Sequence, residues 1–485
     1  MAALAFLGAM TAGCSGDDLT AETPQFPDTA GGTLVTKVTV SLDEHASTRM
    51  LDPSGMMTFE EGDKIAVIYK NTAGVTVKAE SDPLQATDLH DAKKTASFSV
   101  TLTNPKAHTP VRYIYPASMA ADDVSTTTPD NDATIKWSNL ASQSGSFPFI
   151  SEHVDLAVFD GTMTAQAVLP AATLENPLTI GAFTITNSAT NDEITENVKK
   201  LIVNDGTNTY TLEGGWSTVI FVAMKPISKT QTVTIKAITA DNKFIKSVTN
   251  KELAKNTKYD INVSMTARYP LAVTAASVSS DDIGSVIGVN GKIYLNATAA
   301  AAASPATTAV AMITYVGAAG TADASSTSYK GLALALSDAN SGYFYWKTEQ
   351  SDAGHTWQSD RDNFTSESGL QYNNAAHNTD TYPAFKAAMA NNGTTKPTNC
   401  SDWFLPTAYQ WNQMIDACKN VLGTKNSYKD LRDGFNSVGG TNMVGEYWSS
   451  TEDGTNTAWS YRFNLGYWAS EPKTFYCIVR SALAF

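Results

Sequence analysis

The chain has 485 residues, 48 Asp and Glu against 34 Lys and Arg, and a formal net charge of −14. No basic excess exists to neutralise phosphate, which excludes nucleic acid as a partner. Hydrophobic residues make up 42% and charged ones 17%, enough apolar material for real cores, which excludes wholesale disorder. Only four cysteines occur, Cys14, Cys400, Cys418 and Cys477, too few for a disulfide framework.

The first element is an export signal. The apolar run Ala5-Phe6-Leu7-Gly8-Ala9-Met10 leads directly into Thr11-Ala12-Gly13-Cys14. Small residues ending in Gly-Cys after an apolar segment form a lipobox, which a peptidase cleaves before a cysteine that then carries lipid. Residues 1–14 therefore read as a lipoprotein signal and Cys14 as the lipidation site, placing the protein on the outer membrane or cell surface. No Lys or Arg precedes Lys37, so the translation start is expected upstream of Met1. Residues 15–32, polar and closed by Gly31-Gly32, read as a linker.

Strand patterns follow for more than two hundred residues. Val38, Val40 and Leu42 alternate with polar neighbours, as do Phe98, Val100 and Leu102, and later Tyr259, Ile261, Val263 and Met265. Ile65, Val67 and Tyr69 share one face, and Val233 and Ile235 repeat the theme. Period two of this kind predicts half-buried strands, and turn clusters such as Asp52-Pro53-Ser54-Gly55 and Asn204-Asp205-Gly206 separate them. The expectation is a mostly β chain with two antiparallel β-sandwiches in series, over 33–165 and 166–270.

The grammar changes after about residue 270. Buried-strand runs appear at Ala309–Val316 and Gly331–Leu336, and a helix is predicted from Pro383 to about Ala390. Trp411, Met414, Ile415, Cys418, Val421 and Leu422 make one apolar helical stripe, with Thr407 and Gln410 as a capping box and Gly423 as a C-terminal cap. Residues 446–485 are aromatic and strand-like. Seven of the nine tryptophans lie between Trp346 and Trp468, so 275–485 is expected to be a separate α+β domain.

The residues Thr48-Arg49, Gly55, Phe59, Glu61-Gly62-Asp63-Lys64-Ile65-Ala66-Val67, Phe98-Ser99-Val100, Tyr113-Ile114-Tyr115-Pro116 and Glu252 to Ile261 occur in an order that resembles the fimbrillin family, the lipoprotein-derived pilins of Bacteroidota. The resemblance implies transthyretin-like sandwich domains and assembly by donor-strand exchange with other pilin subunits. A surface protease would cut after Arg49, the strand holding Val38, Val40 and Leu42 would leave, and a neighbour's strand would replace it. The other reading is that Arg49 is an ordinary loop residue and the protein stays anchored and uncut.

Ile287 to Tyr294, Gly331-Leu332-Ala333-Leu334, Tyr382-Pro383-Ala384-Phe385, Trp403-Phe404-Leu405-Pro406-Thr407, Tyr447-Trp448-Ser449-Ser450-Thr451-Glu452, Ala458-Trp459 and Cys477 to Arg480 resemble a domain found at the ends of many Bacteroidota and Fibrobacter surface proteins. That domain is related in fold to C-type lectin-like domains. Stalk pilins donate their C-terminal strand, whereas this sequence ends in a folded module, so the two resemblances together imply a subunit that accepts a strand without donating one, as at a pilus tip.

For ligands, aromatic faces pack against sugar C–H surfaces while carboxylates and amides read hydroxyls. Glu452, Asp453, Trp459, Tyr461, Tyr467 and Trp468 are the candidate glycan contacts; the alternative is that most of these aromatics are core. Glu471-Pro472-Lys473 and Trp411-Asn412-Gln413 do not supply the oxygen set of a calcium-bridged lectin site. The six histidines are scattered, and no catalytic or metal-binding motif occurs. The sequence therefore reads as a non-enzymatic surface adhesin with no cofactor and no metal. The alternatives are an anchored glycan-capturing lipoprotein, a pilus anchor subunit, and a surface carbohydrate-active enzyme.

Overall fold

A computed structural model describes residues 32–42, 58–154, 156–323, 327–340, 342–422 and 427–485. Strands dominate, and the chain forms two compact units: residues 1–139 with 151–178, and residues 140–150 with 179–485. Short helix α1 (Phe147–His153) lies where the chain passes between them.

The first unit holds eight strands. These are β1 (Thr33–Leu42), β2 (Ala66–Lys70), β3 (Thr76–Glu80), β4 (Leu89–His90), β5 (Thr95–Thr103), β6 (Pro110–Tyr115), β8 (Ala157–Thr162) and β9 (Ala172–Leu174). One sheet runs β4-β5-β1-β9 and the other β3-β2-β6-β8. Their alternating side chains fill one core, in which Val38, Val40, Phe98 and Val100 from the first sheet meet Val67, Tyr69, Val111 and Tyr113 from the second. The period-two pattern in β1 matches its burial: Thr36, Val38, Val40 and Leu42 are buried while Val35, Lys37 and Thr39 are exposed. Under the second sheet, the buried Arg112 grips Asp160 with two bonds of 2.6 and 2.8 Å and donates to the carbonyls of Asn131 and Asp130.

The second unit opens with β7 (Ser142–Gln143) and continues with β10 (Thr179–Asn187), β11 (Lys200–Asn204), β12 (Thr209–Glu213), β13 (Ile220–Met224), β14 (Val233–Ile238), β15 (Lys243–Val248) and β16 (Thr257–Ala267). They form one eight-stranded sheet, β13-β10-β16-β15-β14-β11-β12-β7. The expectation of antiparallel pairing needs correction at three places: β1·β9, β10·β16 and β12·β7 are parallel. Parallel partners need a long crossover, and each of these pairs is separated by more than sixty residues of chain.

The same unit continues past residue 270 into a six-stranded sheet, β17-β19-β18-β20-β21-β25. Its strands are β17 (Leu271–Ala272), β18 (Val286–Gly288), β19 (Lys292–Tyr294), β20 (Ala309–Val316), β21 (Gly331–Ala335) and β25 (Ala482–Ala484). The helices are α2 (Ala297–Ala302), α3 (Pro383–Ala390), α4 (Ala408–Val421) and α5 (Tyr428–Gly434). A separate antiparallel ribbon is made of β22 (Glu446–Glu452), β23 (Thr457–Arg462) and β24 (Tyr467–Pro472).

The capping box before α4 forms: Thr407 Oγ1 accepts from the Gln410 amide and Gln410 Oε1 from the Thr407 amide, both at 3.1 Å. Trp411, Met414, Ile415 and Cys418 are buried in the core that α4 shares with the six-stranded sheet and β22, but Val421 is 45% exposed. Gly423, the expected cap, lies outside the described residues. Cys400, Cys418 and Cys477 are free and buried. Among the described residues no helix is long and apolar enough to cross a membrane.

A charged joint ties the eight-stranded sheet to the segment that follows residue 270. Arg268, just past β16, grips the fully buried Asp282 with bonds of 2.6 and 2.5 Å. Tyr269 donates its hydroxyl to the same carboxylate at 3.0 Å. Lys236 pairs with the Asp281 carboxylate, and Lys243 donates to the Asp281 carbonyl. Burial pushes the Lys243 ammonium down to about 8.

Candidate functional site

The first candidate is the place β1 occupies. Cys14 and Arg49 themselves lie outside the described residues. β1 is an interior strand, paired antiparallel with β5 from Thr33↔Thr103 to Ser41↔Thr95 and parallel with β9 from Val40↔Ala172 to Leu42↔Leu174. Removing it would bare ladder groups on both neighbours and the core face under Val38, Val40 and Leu42. Buried backbone groups without partners and exposed apolar surface are both costly, so the vacated slot would bind a replacement strand of alternating pattern.

A second opening runs along β16. Opposite β15, β16 pairs at Ala267 and Thr266, and between Tyr259 and Ser264 it borders a groove of 590 Å³. Apolar side chains line it, among them Val233, Ile235, Val248, Leu253, Ile261 and Val263.

The third candidate is the aromatic ribbon β22-β23-β24, which brings together all six expected glycan contacts. Gly466, at φ +84°, turns β23 into β24, and a Cβ there would meet the Tyr428 ring at 2.2 Å. Most of the six residues face inward. Trp459 donates Nε1–H to the Gln358 carbonyl at 2.5 Å and meets Phe364 edge-on at 5.5 Å. Trp468 donates to Asn412 Oδ1 at 3.0 Å and also packs on Phe364. Tyr461 is buried between Phe463 and Trp468, with centroids at 4.7 and 5.1 Å. Asp453 is half-buried and accepts from the Ser470 hydroxyl.

Glu452 is fully buried and pairs with the equally buried Lys473. Its oxygens also accept from the amides of Ala353 and His355 at 3.0 Å. That side chain is a structural pin with no face toward solvent. Only Tyr467, 42% exposed, presents a ring outward, with Arg462 bonded to its hydroxyl at 2.9 Å and lying over the ring.

Sequence reasoning missed two features. Tyr345 and Tyr476 lie against each other with centroids at 4.2 Å and ring planes tilted by 33°, with exposed Tyr343 and Phe475 close by in the chain; no periodic spacing marks them. Behind the ribbon, two scattered histidines meet. His355 Nε2 lies 2.9 Å from His377 Nε2, His355 Nδ1 is 3.2 Å from the Ser450 carbonyl and His377 Nδ1 3.0 Å from Asn374 Oδ1. Tyr372 stacks on His355 at 3.6 Å and donates its hydroxyl to Glu367.

Burial pushes the His355 imidazole down to about 3, with the His377 ring adding to the effect, and burial lowers His377 as well. The unfolded chain takes up protons on both rings near pH 6.5 while the folded chain resists, so the stability these rings allow is complete above about pH 6.5 and is lost as pH falls toward 3. The expected result is a lower urea midpoint for the C-terminal domain at about pH 5 than at about pH 7.5, and a smaller difference in His355→Gln.

No family model matches the chain, and no curated protein matches it. Among solved structures, a fimbrial protein from Bacteroides ovatus ATCC 8483 is similar at 13% identity and a TM-score of 0.29, covering 93% of this chain and 100% of that one. A fimbrial assembly protein from Parabacteroides distasonis ATCC 8503 is similar at 10% identity and a TM-score of 0.28, covering 47% of this chain and 90% of that one. Both scores are too low for the likeness to bear on function.

Proposed function

We propose that this chain is a non-enzymatic surface adhesin of the fimbrillin type: an exported lipoprotein, lipidated at Cys14, that accepts a strand from a neighbouring subunit and carries a ligand-binding C-terminal domain. The observation that carries the reading is the position of β1. It is one of the two interior strands of a four-strand sheet, ends at Leu42, and is followed seven residues later by Arg49. A cut there would release β1 as one continuous strand, leaving a slot that a replacement of the same alternating apolar pattern could fill. The groove along β16 extends the same chemistry into the second unit. β25 is committed to its own sheet beside β21, which supports an accepting subunit that does not donate that strand, the position of a tip.

The test is on producing cells. Mature protein should begin at Met50, Arg49→Ala should remain uncut, and the processed chain should capture a synthetic peptide of residues 33–42 that the uncut chain ignores. A surface protein that keeps residues 15–49 and captures no peptide would overturn the strand-acceptor reading. It would favour a permanently anchored lipoprotein, a form in which β1 is already fully paired.

A further inference from the structure

On the C-terminal domain, away from the aromatic ribbon's six candidates, a cleft of 460 Å³ is lined by Asn373, Asn378, Met389, Lys396, Asp402 and Trp403. Its volume is in the range of small-molecule sites, and it is open to solvent over most of its face. Its chemistry is balanced: Lys396 and Asp402 pair at 2.6 Å and cancel, so the lining favours neither an anion nor a cation. Asn378 is exposed and Asn373 half-buried, and among the described residues neither side chain engages a protein partner. Each amide offers two donors and an acceptor. Met389 and the edge of Trp403, whose Nε1–H is fixed on the Thr394 carbonyl at 3.0 Å, add apolar floor.

The loop that carries these amides is held in place by Asn374, which itself lines the cleft. Asn374 Oδ1 accepts from the Ala376 amide at 3.0 Å, from the His377 amide at 3.3 Å and from His377 Nδ1 at 3.0 Å. His377 in turn rests on the buried His355. Three donors on one oxygen fix the turn between Asn373 and Asn378, so the two free amides are presented without a large ordering cost on binding.

We propose that this cleft is a binding site for a neutral saccharide, with the Asn373 and Asn378 amides reading ring hydroxyls and the Met389–Trp403 floor taking a C–H face. The proposal rests on the reading of the C-terminal domain as the ligand-binding part of a surface adhesin. It assigns the ligand to a different place from Tyr467.

The experiment is saturation-transfer NMR on the full chain with the methyl glycosides of glucose, galactose, mannose, N-acetylglucosamine and sialic acid. At least one neutral glycoside should receive saturation at its ring C–H protons, and the anionic sialoside should receive none. The double variant Asn373→Ala/Asn378→Ala alters two accessible side chains without protein partners, so its fold should be retained by circular dichroism. Its affinity for the bound glycoside should fall about tenfold or more, whereas Tyr467→Ala should bind as wild type. Unchanged binding in the double variant, or loss in Tyr467→Ala alone, would overturn the site while leaving the adhesin reading intact. No transfer to any neutral glycoside would overturn the proposal. Blocking adhesion of producing cells with antibody against residues 275–485 then separates the cases: a block keeps the adhesin reading, and unchanged adhesion removes both.

Discussion

Glu452→Ala is expected to destabilise the C-terminal domain by about 3–5 kcal/mol, the usual cost of stranding one partner of a buried ion pair. Both side chains are fully buried. Among the described residues, the substitution leaves the Lys473 ammonium with the carbonyls of Ser351 at 2.9 Å and Thr455 at 2.8 Å as its hydrogen-bond partners. It also strands the amides of Ala353 and His355. Lys473 lies over the Trp346 ring as well, so its displacement would disturb the packing that holds the segment before α3. Replacing both partners, as in Glu452→Met with Lys473→Met, should recover most of the loss, because no unpaired charge remains. Thermal and urea unfolding followed by tryptophan fluorescence reads this directly. A Glu452→Ala protein within about 1 kcal/mol of wild type, yet deficient in ligand binding, would return Glu452 to the list of ligand contacts.

Val40→Asp is expected to disrupt the first unit more severely than any change on the outer face of β1. Val40 is fully buried, opposite Ala96 on β5 and Ala172 on β9. A carboxylate there loses the burial of an apolar side chain, about 1.5–3 kcal/mol, and adds the desolvation of a charge without a partner. Val35→Asp is the control: the same strand and chemistry, at a side chain 69% exposed, with a change expected within about 0.5 kcal/mol. Proteolysis of the intact protein distinguishes them, since Val40→Asp should open the first unit to chymotrypsin and Val35→Asp should not. Equal resistance in both variants would mean that β1 contributes little to this core, and the strand-replacement reading would lose its energetic basis.

The strands were legible wherever one face met a core and the other met water: β1, β5 and β14 alternate in sequence as they do in burial. α4 was legible because its stripe and capping box agree. Strand partners were not. β9 lies about 130 residues after β1, and nothing local announces that it joins β1 in parallel or that the first unit runs through Leu178. The ribbon was misleading for a different reason. In β23 four consecutive residues, Ala458 to Tyr461, are buried, because the irregular stretch carrying Gln358 and Phe364 covers the face that an alternating pattern would leave to solvent. Such a stretch has no period, so its role as a lid over tryptophans could not be read from spacing. The same stretch supplies His355 and His377, twenty-two positions apart and joined only by the fold.

The joint at Arg268 gives the molecule a mechanical grain. β16 runs directly into that residue, and from Thr257 to Met265 it lies in parallel register with β10 from Thr179 to Asn187. A tug on the C-terminal domain enters through the Arg268–Asp282 grip and travels along β16, roughly perpendicular to the bonds that hold it to β10. The load is then shared by the whole ladder at once instead of peeling it one rung at a time. For the adhesin proposed above, tethered at one end and hooked to a target at the other, this strand geometry would resist drag.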